Sequence, residues 1–222
     1  MKRVLATATM ILVCGLGSAS AQTPAPATTT ESAERAYVLV GGGGAFGNKS
    51  SSALSGEIGV RVTPMIDVFV EGSYLKDTIP AETVTLAAPI VTYLGRFGTA
   101  SFTADQPTTV VNVGAKINFD ITDKMRAYVA AGGGMGKVQY RTAFVLGGTD
   151  VTGSLLGTYG VQVGGDLASV TDTAAAFMFG GGVHMLVAGP VVADASYRFN
   201  RINVPGAPLN ASRVQVTVGV KF

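Results

Sequence analysis

Eight segments of alternating hydrophobicity run from Ala36 to Phe222, and long and short connections join them in strict rotation. The segments span about 36–45, 54–63, 66–76, 108–120, 125–140, 174–187, 190–202 and 212–222. The second, fourth and sixth connections are tight and carry turn chemistry: Thr63-Pro64-Met65, Ile121-Thr122-Asp123-Lys124 and Ala188-Gly189-Pro190. The others cover about 46–53, 77–107, 141–173 and 203–211, and two of these exceed the loop lengths of ordinary compact domains. One end of the sheet is therefore trimmed and the other elaborated. A soluble sandwich has no reason for that asymmetry, whereas barrels that span a membrane pair short turns at one side with long loops at the other.

The last segment, SRVQVTVGVKF, shows the alternation most cleanly. Val214, Val216, Val218, Val220 and Phe222 share one face, and Arg213, Gln215, Thr217, Gly219 and Lys221 the other. That is the period of a strand, and its length suits a tilted strand crossing a bilayer core, roughly 9–11 residues. Charge decides which face meets lipid. In the fourth segment Val111, Val113, Ile117 and Phe119 oppose Asn112, Lys116 and Asp120; in the seventh Val191, Ala195, Tyr197 and Phe199 oppose Asp194, Arg198 and Asn200. A Lys or Arg against lipid at mid-membrane costs roughly 2–4 kcal/mol, so the charged face looks inward.

The inward set expected on this basis is Glu57, Arg61, Asp67, Glu71, Lys116, Asp120, Lys137, His184, Asp194, Arg198, Arg213 and Lys221. Tyr74, Phe119, Tyr128, Tyr140, Phe177, Tyr197, Phe199 and Phe222 are assigned outward, near segment ends, as interfacial girdles require. A soluble lipocalin-like barrel would invert the same alternation around an apolar cavity.

Composition agrees with hydrophobicity spread as alternation. Charged residues make up only 14%, there are 30 Gly and no Trp, and no apolar run outside the first residues is long enough for a membrane helix. Lys2 and Arg3, the apolar run Val4–Leu16 and the small-residue site Ala19-Ser20-Ala21 read as a cleaved signal peptide over 1–21. Residues 22–35, rich in Pro, Ala and Thr, read as a flexible periplasmic lead-in, and 36–222 as the barrel. The one cysteine, Cys14, lies inside the signal, and Val13 is too large for a lipoprotein cut before it. Cleavage leaves fourteen basic against fourteen acidic residues, so no basic patch argues for nucleic acid.

From Ala36 to the end the chain resembles the eight-stranded outer-membrane barrels of the OmpA, OmpX and opacity-protein type. Stretches such as GGGVHMLVAGPVVADASYRFNRI resemble that family's sixth and seventh strands. The resemblance implies an all-β fold: a single eight-stranded antiparallel up-and-down transmembrane β-barrel in the bacterial outer membrane, with periplasmic termini and four external loops. It implies partners in outer-membrane lipid and lipopolysaccharide, and in the barrel-assembly machinery, which reads a terminal aromatic residue such as Phe222. No cell-wall-binding domain follows the barrel, so attachment to peptidoglycan is not expected. A monomer is expected, without cofactor or metal.

The glycine runs at 41–44, 132–136 and 180–182 interrupt three strands. Gly42, Gly44 and Gly47 satisfy GxGxxG, yet a polar loop follows where a dinucleotide site needs a helix. If the fifth and sixth segments pair, their glycines meet at mid-height and leave room for long interior side chains. The lone histidine, His184, sits near the tight turn at Gly189 and is expected to be a satisfied interior group. Related lipid A-modifying barrels use a His-x-Ser pattern, but here Leu186 takes the third position.

Three functions remain in order: a non-enzymatic surface barrel, either structural or interacting through its loops with host or extracellular ligands, a narrow porin, and an outer-leaflet lipid-modifying enzyme. Eight strands close on an interior that side chains just fill, and charges of both signs packed there should pair. Glu71 and Arg198 fall near mid-height, with Arg61, Lys116 and Asp194 somewhat lower, and these five are expected to form an ion-paired plug; the alternative is that trapped water solvates the interior charges.

Overall fold

The computed structural model describes residues 35–46, 50–79, 81–164, 167, 169–206 and 208–222. The signal segment, nearly all of the lead-in and the Gly47-Asn48-Lys49 part of the glycine motif lie outside them.

Among the described residues eleven strands follow in chain order: β1 (Ala36–Phe46), β2 (Ser50–Thr63), β3 (Ile66–Leu75), β4 (Ala100–Asp105), β5 (Thr108–Thr122), β6 (Met125–Gln139), β7 (Arg141–Leu146), β8 (Thr149–Asp150), β9 (Thr171–Ala188), β10 (Val191–Ile202) and β11 (Leu209–Lys221). All but β4, β7 and β8 close into one antiparallel barrel of eight. Each barrel strand pairs with the next one along the chain, and β11 returns to β1. Backbone bonds from Ala36 to Phe222 and back, both 2.9 Å, complete that seam. The barrel has no open edge, as lipid demands.

The register fixes the shape. One ladder row runs Ala36, Val60, Val68, Ala115, Ala131, Phe179, Phe199, Ser212 and returns to β1 at Phe46. The row closes ten residues beyond its start, a shear of ten over eight strands, which inclines the strands by about 40°.

Side chains alternate as expected, with two exceptions on β6. Tyr128 points inward and is buried, and Lys137 points outward and is exposed. Around them the run Gly132-Gly133-Gly134-Met135-Gly136 carries almost no side chains to mark a face. The phase of β6 is set instead by its pairing with β5, where Lys116 faces Ala130 and Asp120 faces Arg126. Tyr140, just past β6, packs against an apolar cluster in the lumen rather than forming part of an outer girdle.

The glycines of β6 and β9 also do not meet. Gly180, Gly181 and Gly182 face Ala130, Val129 and Tyr128. They do leave room for interior bulk: a Cβ on Gly182 would lie 2.7 Å from the Tyr128 hydroxyl, and Gly59 on β2 likewise makes room for the Tyr37 ring.

The tight turns gather at one end, the turn end, each beside a register shift in its hairpin. The Thr63 and Thr122 hydroxyls accept backbone N–H bonds in two of these turns, and Gly189 adopts a positive φ of 51° in the third.

The opposite, cap end is more ordered than two long loops would be. Besides β4, β7 and β8 its segments form α1 (Ala81–Leu94), a 3-10 turn (Thr152–Ser154) and α2 (Leu155–Tyr159). The three short strands make a second small sheet. Ala87 and Leu94 of α1 pack with Phe144, Leu155 and Leu167 in a core separate from the lumen. In α1 the buried positions Thr83, Ala87 and Leu94 repeat at helical spacing. The expectation of loops failed because this stripe uses Thr and Ala, which give a weak hydropathy signal. No helix among the described residues is long and apolar enough to cross a membrane.

Candidate functional site

The lumen is layered. At mid-height the inward positions of five strands bring charges of both signs together. Glu57 on β2 and Glu71 on β3 are direct cross-strand neighbours. So are Arg198 on β10 and Arg213 on β11. Like charges opposite one another destabilise a sheet. Here each repelling pair is neutralised across the lumen by the other.

Arg198 reaches Glu71 with Nε at 3.2 Å and Glu57 with Nη2 at 3.4 Å. Glu71 also pairs with Arg213, and Glu57 with Lys116. The result is a chain of alternating sign, Lys116–Glu57–Arg198–Glu71–Arg213, in which each carboxylate is shared by two cations. Arg213 is held further by bonds to the Ser73 hydroxyl (2.7 Å) and the Gln215 side-chain oxygen (2.8 Å).

Tyr128 ties in the sixth charge: its hydroxyl accepts from Arg198 at 3.0 Å and donates to Asp194 at 3.0 Å. Three cations and three carboxylates thus balance. All six are buried, with Glu71, Arg198 and Arg213 at 0% exposure. A charge so buried is tolerated only when paired and hydrogen-bonded. The Lys116 ammonium sits among three rings, at 4.5 Å from the centroid of Tyr128, 5.1 Å from Tyr37 and 5.4 Å from Phe69.

Of the five residues expected in the plug, Glu71, Lys116, Asp194 and Arg198 fall in this network. Arg61 does not: it faces Asp67, with Nε 3.5 Å from the carboxylate, nearer the turn end. There a recess of about 10 Å³, room for about one water, is lined by residues including Arg61, Asp67, Arg126, His184 and Lys221. His184 is buried inside the barrel beside this recess, with Nδ1 3.8 Å from Asp194. Glu57 and Arg213 have inward parity in the sequence. Their centrality depends on register, which alternation within one strand does not specify. The ring cage around Lys116 was missed because Tyr128 was assigned to the wrong face.

Above the charges, Asn112 donates to Asn200 at 2.9 Å. Beyond this pair the cap end of the lumen turns apolar. Leu75, Val110, Val138 and Ile202 are each at 0% exposure and pack with Ala45, Ala53, Ala176, Leu209 and Ala211. The inward face is therefore charged chiefly through its lower and middle levels. Among the described residues no group of three or more His, Cys, Asp or Glu side chains is placed to hold a metal ion.

The chain is similar to several solved barrels. Ail of Yersinia pestis is 13% identical over 85% of this chain and 98% of its own, with a TM-score of 0.49. Neisserial surface protein A is 19% identical over 84% and 97%, at 0.48. The N-terminal barrel domain of Pseudomonas aeruginosa OprF is 12% identical over 85% and 98%, at 0.49. No curated protein matches the chain. The family model of the outer membrane protein β-barrel domain matches residues 6–222, nearly the whole chain. The closed eight-stranded barrel, its apolar outer face and its charged lumen agree with that match, and the chain belongs to this family of bacterial outer-membrane β-barrels.

Proposed function

We propose that the protein is a sealed, non-enzymatic surface barrel that holds a folded cap outside the cell. The observation that carries this is the double closure of the lumen: a neutral six-charge network at mid-height and, above it, a layer of Leu75, Val110, Val138 and Ile202 with no exposure. An ion crossing the barrel would have to break the first and wet the second. Apolar constrictions of this kind block conduction by excluding water. The narrow-porin alternative would need a polar path through the apolar layer, where Leu75, Val110, Val138 and Ile202 pack together.

The elaborated end supports a role in contact. It has its own core, so it presents a fixed surface rather than a fluctuating loop. That surface carries exposed Phe97 and Leu156, and the rings of Tyr93, Phe97 and Tyr159 pack edge-on at 5.7 and 5.3 Å. Aromatic side chains are favoured anchors of protein contacts. Host or extracellular molecules are the expected partners of this face.

Planar-bilayer recording tests the closure. The wild-type barrel should show rare, small openings, and Glu71→Ala should raise their frequency. Steady, large, ion-permeable openings in the wild type would overturn the proposal. A change in lipid A mass between cells with and without the protein would overturn its non-enzymatic part.

A further inference from the structure

The recess at the turn end gathers polar atoms that the lumen leaves without partners. Seven of the eight barrel strands, all but β10, contribute to its lining. Its charged groups are ladder neighbours: Arg61 lies opposite Asp67, Asp67 opposite Lys116, and Arg126 opposite both Asp120 and His184. Arg126 gives Nε to Asp120 at 2.5 Å, which leaves Nη1 buried with no hydrogen-bond partner among the described residues. Arg61 Nε and Asp67 Oδ1 face each other at 3.5 Å, and both are buried without a hydrogen bond among those residues. His184, at 9% exposure, turns Nδ1 towards Asp194, and its Nε2 likewise has no hydrogen-bond partner among them. Buried polar atoms left in this state ordinarily meet a water or an ion.

Charge and size decide between the two. Lys116 and Tyr128 border the recess but belong to the neutral network. Outside that network the lining carries Arg61, Arg126 and Lys221 against Asp67 alone. Asp120, the partner of Arg126, is 68% exposed, so solvent screens its charge. The excess is positive. It repels a metal cation, and a water would leave it uncompensated beside a low-dielectric interior. The space of about 10 Å³ takes one water-sized occupant, too little for a tetrahedral oxyanion. Arg61 and Arg126 are partly exposed, so the recess meets solvent at the turn end.

We infer that this recess binds one small monovalent anion of halide size, held by nitrogens of Arg61, Arg126 and His184. In its imidazolium form His184 has an N–H on each ring nitrogen, so it can face Asp194 with one and the anion with the other. The ion supplies the negative charge that the lower lumen lacks and gives the unpartnered nitrogens an acceptor. The inference goes beyond the sealed-barrel proposal and is independent of it, because the recess meets solvent whether or not the lumen conducts.

The test uses the full chain refolded in detergent. Crystals of the wild type soaked in sodium bromide should show one anomalous peak in the recess, within hydrogen-bonding reach of the Arg61, Arg126 and His184 nitrogens. In solution, chloride NMR at constant ionic strength should show excess line broadening that saturates at one site per barrel. Arg126→Gln keeps an N–H donor but removes the charge, and it should weaken this binding about tenfold. Lys137→Gln, on the outward face, should leave it unchanged. A recess without an anomalous peak would overturn the inference, since its occupant would then be water; that result does not depend on any variant folding. Equal chloride binding by Arg126→Gln and the wild type would also overturn it. So would full displacement of chloride by equimolar phosphate, which a halide-sized site excludes.

Discussion

Glu71→Ala is the sharpest probe of the lumen. Glu71 is fully buried on β3 and is shared by Arg198 and Arg213, themselves cross-strand neighbours. Removing the carboxylate leaves two guanidinium groups facing each other at 0% exposure with one acid fewer. Breaking a buried pair by deleting one partner costs about 3–5 kcal/mol. The loss should stay in that range and not double, since Arg198 keeps Glu57 and Tyr128, and Arg213 keeps Ser73 and Gln215. Glu71→Gln holds the volume and removes only the charge, so it should recover little of the loss if electrostatics dominate. Unfolding from lipid vesicles in denaturant, followed by tyrosine fluorescence and by the fraction of barrel that resists unfolding on an unboiled gel, measures both. A Glu71→Ala barrel within about 1 kcal/mol of wild type, the scale of an exposed pair, would refute the claim that the network bears on stability.

Other perturbations separate the remaining layers. Leu75→Ala should cost about 2–5 kcal/mol by opening a cavity in the apolar layer, and in bilayer recordings it should add brief openings; an unchanged barrel would show that the layer is not tightly packed. Lys116→Met keeps the stem among Tyr37, Phe69 and Tyr128 but leaves Glu57 with Arg198 alone, so its cost should be smaller than that of Glu71→Ala in the same unfolding assay. Phe222→Ala, at the residue bonded to Ala36 across the closing seam, should lower outer-membrane insertion far more than a substitution within 22–35; equal membrane yields would count against an assembly role for Phe222. Protease added to intact cells should cut the cap-end connections and spare Thr122 and Gly189; the reverse pattern would turn the barrel upside down.

The strands themselves were legible because a lipid-facing sheet writes its pattern into every second residue. Val214, Val216, Val218 and Val220 announce one face of β11 whatever surrounds them, and the rotation of short and long connections announces antiparallel closure. Side choice failed on β6, where glycines erase the alternation and only the pairing with β5 fixes the phase of Tyr128 and Lys137. The cap stayed hidden for a related reason: Thr83 and Ala87 are poor hydropathy markers of a buried stripe.

What the chain alone determined was local: which residues alternate, where the turns fall, and that charges of both signs must share a narrow interior. Tertiary structure decided who meets whom. Glu71 is separated by 127 positions from Arg198 and by 142 from Arg213, and nothing in the spacing of these residues marks them as partners. Register sets Glu57 beside Glu71 and Arg198 beside Arg213, and closure of the barrel turns the two arginines toward the two acids. Side-chain parity is a property of each strand by itself. The shear of ten, which gathers the buried charges at mid-height, is a property of the closed sheet, and it exists only once the last strand has found the first.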